Sequence, residues 1–212
     1  YNLTEDSLTS VVLNDWMNAY SSKTSPLAQR FSDEFYRGFH LAPEKERGGT
    51  HDLFISTTEK MNLEWERTEK NPDIITIKFD KKLAPNQKII FHLAYTVKIP
   101  SDKFTHYGYS EKGEIYLRNW FLTPARYENH SFVENNNFNI DDIANAISDF
   151  DIQFKVPKNW QLTTDLNDEK PTQSDSFYIY KLQGKNRTDF SIYLEPESSF
   201  RSFKNSEVNV LT

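Results

Sequence analysis

An all-β fold with one helical insertion is predicted by three observations. Segments rich in β-branched and aromatic residues recur along the chain, turn clusters such as "EKNP" and "KLAPNQ" separate them, and only one stretch carries helical spacing. The expected strands are "SLTSVVLN" (7–14), "DLFISTTE" (52–59), "MNLEWERT" (61–68), "DIITIKF" (73–79) and "KIIFHLAYTVKI" (88–99). "EIYLRNWFL" (114–122), "DFDIQFKV" (149–156), "SFYIYKLQ" (176–183) and "TDFSIYLE" (188–195) follow. In "DIITIKF", Ile75, Ile77 and Phe79 alternate with Thr76 and Lys78, so one face is expected to be buried and the other wet. "GKNR" between the last two strands reads as a hairpin loop. No internal repeat or low-complexity linker appears, so one domain is expected over residues 1–212.

The exception is "SPLAQRFSDEFYRGF" (25–39). Ser25 is placed to cap a helix and Pro26 suits its first position. Leu27, Phe31 and Phe35 fall on one face, Arg30–Glu34 and Asp33–Arg37 are spaced to pair outside it, and Gly38 reads as a stop. The aromatic stripe is read as core, which makes this a helical insertion packed on a sheet.

Composition excludes several classes. A chain of 212 residues buries roughly 70% of its unfolded surface, enough for a core without staples. With no cysteine there is no disulfide, thiol catalysis or thiolate metal site, a trait that suits reduced compartments and exported bacterial proteins alike. A net charge of −6 with no basic tract argues against nucleic acid. No apolar run approaches the roughly 20 residues that span a bilayer. The chain starts at Tyr1 inside a strand-like segment, which points to an excised or processed piece of a larger protein.

Chemistry-bearing patterns are sparse. The five histidines (40, 51, 92, 106 and 130) include no H-E-x-x-H and no pair four residues apart. There is no G-x-S-x-G and no phosphate-cradling glycine loop. The run "ENNNFNIDDIANAISDFD" (134–151) is oxygen-rich but lacks the glycine and bidentate glutamate of a calcium loop, so it reads as a solvated loop. Asp141 and Asp142 are adjacent and would point apart on a strand, which disfavours a glycosidase pair. Aromatics make up 15% of the chain; Trp16, Trp65, Trp120 and Trp160 would suit stacking on sugar rings if exposed, or a sheet core if not.

"EIYLRNWFLTPARYENHSFV" (114–133) sets an arginine and aromatics around a proline break. With its flanks it completes an ordered series: Leu83, Pro85 and Tyr95, then Ala125-Arg126, then Phe150, Ile152, Val156 and Pro157 in an "F-x-I-x-x-x-V-P" strand. This series, covering about half the chain, resembles the N-terminal β-domain of the aminopeptidase N family of zinc metallopeptidases. The helical insertion and "LNDWMNAYSSK" depart from usual members, which suggests a divergent bacterial branch.

The resemblance implies a saddle-like antiparallel or mixed β-sandwich, packed on the protein's own catalytic domain and lining an edge of its peptide cleft. The zinc, its ligands and the general base would belong to that following domain, so this chain is expected to be non-catalytic and free of cofactor. The first strand of the family's domain is expected to be missing. The family's glutamine beside the substrate falls, seven positions before Arg126, on Asn119, a shorter amide that keeps a donor and an acceptor. Arg126 is read as structural, paired with Asp142 or its neighbour Asp141 to tie strand exit to strand entry. The alternative is a free-standing β-sandwich module that binds carbohydrate through exposed aromatics.

Overall fold

A computed structural model describes residues 1–59, 62–138, 143–197, 200–206 and 208–211. The fold is all-β, built from antiparallel sheets with two short helices. In chain order the elements begin with β1 (Leu8–Asn14), α1 (Pro26–Asp33), α2 (Gly38–Leu41), β2 (Gly49–Thr57), β3 (Trp65–Glu66), β4 (Ile74–Leu83) and β5 (Phe91–Lys98). There follow β6 (Ile115–Arg118), β7 (Thr123–Pro124), β8 (Tyr127–Glu128), β9 (Ser131–Phe132), β10 (Ser148–Pro157), β11 (Gln161–Thr164) and β12 (Asn167–Asp168). The last are β13 (Thr172–Gln173), β14 (Phe177–Arg187), β15 (Ser191–Glu195), β16 (Ser202–Lys204) and β17 (Asn209–Leu211). They fall into two compact units, one of Tyr1–Thr105 with Asn119–Ile147, the other of His106–Arg118 with Ser148–Thr212. The chain passes between the units without a Pro-, Gly- or Ser-rich linker, so composition carries no mark of the division.

The first unit is organised by the sheet β3-β4-β1-β7. Its central pair sets Leu13 opposite Ile75 and Val11 opposite Ile77. Ile75 and Ile77 are fully buried with Leu13 and Ile55, as their alternation predicts. The opposite face is covered as well: Val12 and Ile74 pack with Ala125 and Phe132. Strands β2 and β5 form a separate antiparallel pair that contributes Ile55 to this core. The helical segment has its own cluster of Tyr20, Leu27, Phe31, Phe39 and Phe104, in which Phe39 meets Phe104 edge-to-face at 5.1 Å.

The helix begins as its sequence predicts and ends sooner. Ser25 accepts from the Ala28 N–H at 3.2 Å, and Pro26 opens the helix. After Asp33 the chain breaks: Phe35 takes a left-handed φ of 59° and is 88% exposed, off the buried face of Leu27 and Phe31. Gly38 starts α2 instead of stopping α1, and α2 returns Phe39 to the core in the place the spacing gives to Phe35. Arg30 pairs with Glu34, while Asp33 accepts from Gln29 at 2.8 Å.

In the second unit β14 is the axis, paired with β10 along one edge and with β12 and β13 along the other. A second sheet, β11-β15-β6, buries Leu117, Ile192 and Leu194. The "GKNR" hairpin does not form. β14 runs through to Arg187, and β15 lies in the other sheet. Gly184 serves close packing rather than a turn, since a Cβ there would lie 2.5 Å from Leu166 Cδ2.

The break in the helix gives opposite expectations for two residues. Ser25→Ala removes a cap whose hydroxyl also donates to the Ala19 carbonyl at 2.7 Å, and should destabilise by about 1–2 kcal/mol in urea unfolding. Phe35→Gly relieves a left-handed residue and should be neutral or stabilising by up to about 1 kcal/mol. A loss of about 3 kcal/mol or more, the usual result of emptying a core phenylalanine, would show that Phe35 is core after all.

Candidate functional site

The segment after the proline break is held on both sides within the first unit. Thr123 and Pro124 pair with Asn14 and Leu13 of β1. The Ala125 N–H donates to the Val12 carbonyl at 2.9 Å, which continues this edge. On the other side the Arg126 N–H donates to the Ala144 carbonyl and the Ala146 N–H to the Pro124 carbonyl, both at 2.8 Å. Proline has no N–H to lose here, and its neighbours supply the donors.

Between these edges lies a chain of side-chain amides. Asn14 Nδ2 donates to the Ala144 carbonyl at 3.2 Å and to Asn145 Oδ1 at 2.9 Å. The Thr123 hydroxyl donates to the same Oδ1 at 2.7 Å. Asn145 Nδ2 then donates to Asn119 Oδ1 at 3.3 Å. Asn14, Thr123 and Asn145 are buried, whereas Asn119 is half-buried at the outer end with a left-handed φ of 52°. Asparagine tolerates that conformation better than most residues.

The Arg126 guanidinium is half-exposed and meets Glu128, with Nε 2.7 Å from Oε1. Asp141 and Asp142, its expected partners, lie outside the described residues. An exposed pair of this kind contributes about 0.2–1 kcal/mol. The tie between strand exit and residues 144–146 is carried by the Arg126 backbone.

A buried charged node adjoins the amide chain, beginning one residue after Asn14. Asp15 Oδ1 accepts from Thr50 Oγ1 at 2.6 Å, and Oδ2 pairs with the Arg67 guanidinium. The Asp15 N–H donates to the Asp73 carbonyl at 2.8 Å. Asp73 Oδ2 accepts the Asn137 N–H at 2.5 Å, while Asn18 donates to the Pro72 carbonyl at 2.6 Å. Burial raises the Asp15 carboxyl and lowers the Arg67 guanidinium; for both it outweighs their mutual attraction. Asp73 is pushed up to about 6, first by burial, against the hydrogen bond from Asn137.

The solvated reading of residues 134–151 is corrected at Asn137, Ala144 and Asn145, which are buried, while residues 139–142 lie outside the described residues. Asp15, Arg67, Asp73 and Asn137 were not singled out in the sequence. The available signal was an aspartate directly after the apolar "VVLN" and another directly before the apolar "IITI". His130 Nδ1 donates to Asp6 Oδ2 at 2.8 Å, and the Tyr127 hydroxyl donates to the same oxygen at 2.7 Å. The Tyr127 bond, then the His130 bond, hold the Asp6 carboxyl below its usual range. Among the described residues, no three His, Cys, Asp or Glu side chains converge as metal ligands. None of the described helices is long and apolar enough to cross a membrane. Trp16, Trp120 and Trp160 are half-buried; Trp65 is 38% exposed and lines a groove of about 400 Å³ with Leu63, Glu64, Glu66 and Lys78.

No protein-family model matches the chain, and no curated protein matches it.

The node sets a pH dependence. Asp73 binds its proton more tightly folded than unfolded, so its ionisation costs stability on the order of 3 kcal/mol above pH 6. That cost is relieved as pH falls through 6 and is gone near the unfolded value of about 4. Urea unfolding should therefore show Asp73→Asn stabilising the chain at pH 8, with the gain shrinking between pH 6 and 4. A variant less stable than the parent at pH 8 would contradict this.

Proposed function

We propose that this chain is the non-catalytic N-terminal domain of a zinc metallopeptidase of aminopeptidase type, packing on a catalytic domain and forming an edge of its peptide-binding cleft. The observation that carries the reading is the setting of Asn119. The residue that the sequence resemblance sets beside substrate is a half-exposed amide at the end of a strand, with its oxygen clamped by buried Asn145. Supporting it, motif residues fall at strand positions: Leu83 closes β4, Tyr95 lies in β5, and Val156-Pro157 close β10. On this reading Arg126 and Glu128 are structural, and zinc and general base lie on the catalytic domain.

A second reading, a carbohydrate-binding module, is favoured by one observation. Trp65 is partly exposed beside a groove whose other walls carry two carboxylates and an ammonium. The two separate experimentally. The parent protein should cleave aminoacyl p-nitroanilides in a zinc-dependent way, and the 212-residue chain alone should not, with or without added zinc. Glycan-array binding by the chain that Trp65→Ala abolishes, with no H-E-x-x-H encoded in the parent, would replace the first reading by the second.

A further inference from the structure

We propose that the Asp73 carboxylate and the Asn137 side chain form a buried site for a small monovalent cation such as sodium. The site lies inside the first unit, goes beyond the metallopeptidase reading and does not rest on it.

Excess charge and unmet oxygens both point to it. The charged groups that face Asp73 are Asp15, at the end of β1, and Arg67, after β3. Two carboxylates against one guanidinium leave the ionised node with one negative charge in excess, which is costly to keep out of water. The hydrogen bonds leave that excess on Asp73. Arg67 is paired with Asp15, and Asp73 Oδ2 takes the Asn137 N–H at 2.5 Å. Asp73 Oδ1 has no partner among the described residues, although the residue is only 4% exposed. Asn137, 1% exposed, has neither Oδ1 nor Nδ2 partnered there. No hydrogen bond therefore opposes turning its Oδ1 to the carboxylate that its own N–H already meets, and oxygens of this kind are what a hard cation takes. A water would meet these atoms, and the unpartnered Nε of Arg67 as well, but would leave the excess charge in place.

The segments that carry the two oxygens are held together by bonds of their own. Asn136 Nδ2 donates to Asn71 Oδ1 at 2.9 Å, and the Phe138 N–H donates to Asn136 Oδ1 at 3.1 Å. From α1, Arg30 Nη1 donates to the Phe138 carbonyl at 3.1 Å. A monovalent ion balances the charge, whereas a divalent one would reverse its sign beside a guanidinium. A proton on Asp73 balances it too, and burial sets that competition near pH 6.

The test uses the 212-residue chain labelled with ¹⁵N and follows the Asn137 backbone N–H and side-chain NH2 signals as sodium chloride is added. Tetramethylammonium chloride at equal ionic strength is the control. At pH 8 sodium should shift both signals saturably, and tetramethylammonium, too large for a buried site, should leave them in place. Because a proton competes below about pH 6, half-saturation at pH 5 should need about tenfold more sodium than at pH 8. Asp73→Asn removes the charge, is expected to fold at least as well at pH 8, and should abolish the sodium shift. Asn137→Ala should weaken sodium at least about tenfold, read on the backbone N–H at 137. Equal shifts with both salts, a half-saturation that does not move between pH 8 and pH 5, or either variant binding sodium as the parent does would overturn the proposal. Silence toward sodium at every concentration would overturn it as well, leaving water alone to meet these atoms.

Discussion

Burying Asp15 at the end of β1 is the constraint around which the first unit closes. A carboxylate taken out of water costs several kcal/mol unless its lone pairs are met, and the groups that hold Asp15, at its carboxylate and at its backbone, come from different parts of the chain. Thr50 lies in β2, Arg67 follows β3, Asp73 precedes β4, and Asn18 lies in the short turn after Asp15 that also receives the Thr50 N–H at 3.2 Å. The pair is weak as a source of net stability, since burial moves both partners' proton affinities the unfavourable way. Its effect is on position. Any register of β1 other than the observed one would strand Asp15 without these partners, and the apolar ladder of Leu13, Ile75 and Ile77 alone does not exclude a two-residue slip.

The amide chain inherits that register. Asn14 stands next to Asp15, so fixing one aims the other at Ala144 and Asn145. The node is charged and meets its charge with an arginine; the chain beside it is neutral and is satisfied by ordering its dipoles. A neutral relay costs less to bury than an ion pair and still carries direction, because each amide must be a donor at one end and an acceptor at the other. The half-exposed end at Asn119 is where that direction reaches the surface.

How much of this was legible in the sequence follows from which interactions are local. Strand alternation at Ile75 and Ile77 and the Ser25-Pro26 helix start depend on neighbours within a turn or a pleat, and both are found as read. Phe35 misled because its spacing fits the helical face, while the chain breaks one residue earlier and Phe39 fills the core from α2. "GKNR" misled because a glycine needed for contact with Leu166 looks the same in sequence as one needed for a turn. The polar node was invisible because its members are tens of residues apart, and only the fold brings Asp15, Thr50, Arg67, Asp73 and Asn137 together. Asn119 is singled out by resemblance alone, and its hydrogen-bond partner Asn145 lies in a run that reads as solvated loop.

The length of the residue at 119 follows from the same geometry. Asn119 reaches Asn145 at 3.3 Å, the long end of a hydrogen bond, from a backbone held left-handed. A glutamine there would carry its amide one methylene further, past the buried NH2 it has to meet, and would add a rotatable bond to be frozen at a half-exposed position. Asparagine also tolerates the positive φ, because its short side chain suits that conformation better than longer ones do. The shorter amide is therefore matched to a buried partner and a backbone turn. What the geometry fixes at this half-exposed position is the direction of the Asn119 side chain, because its oxygen is tied to a buried amide and its backbone to a left-handed turn.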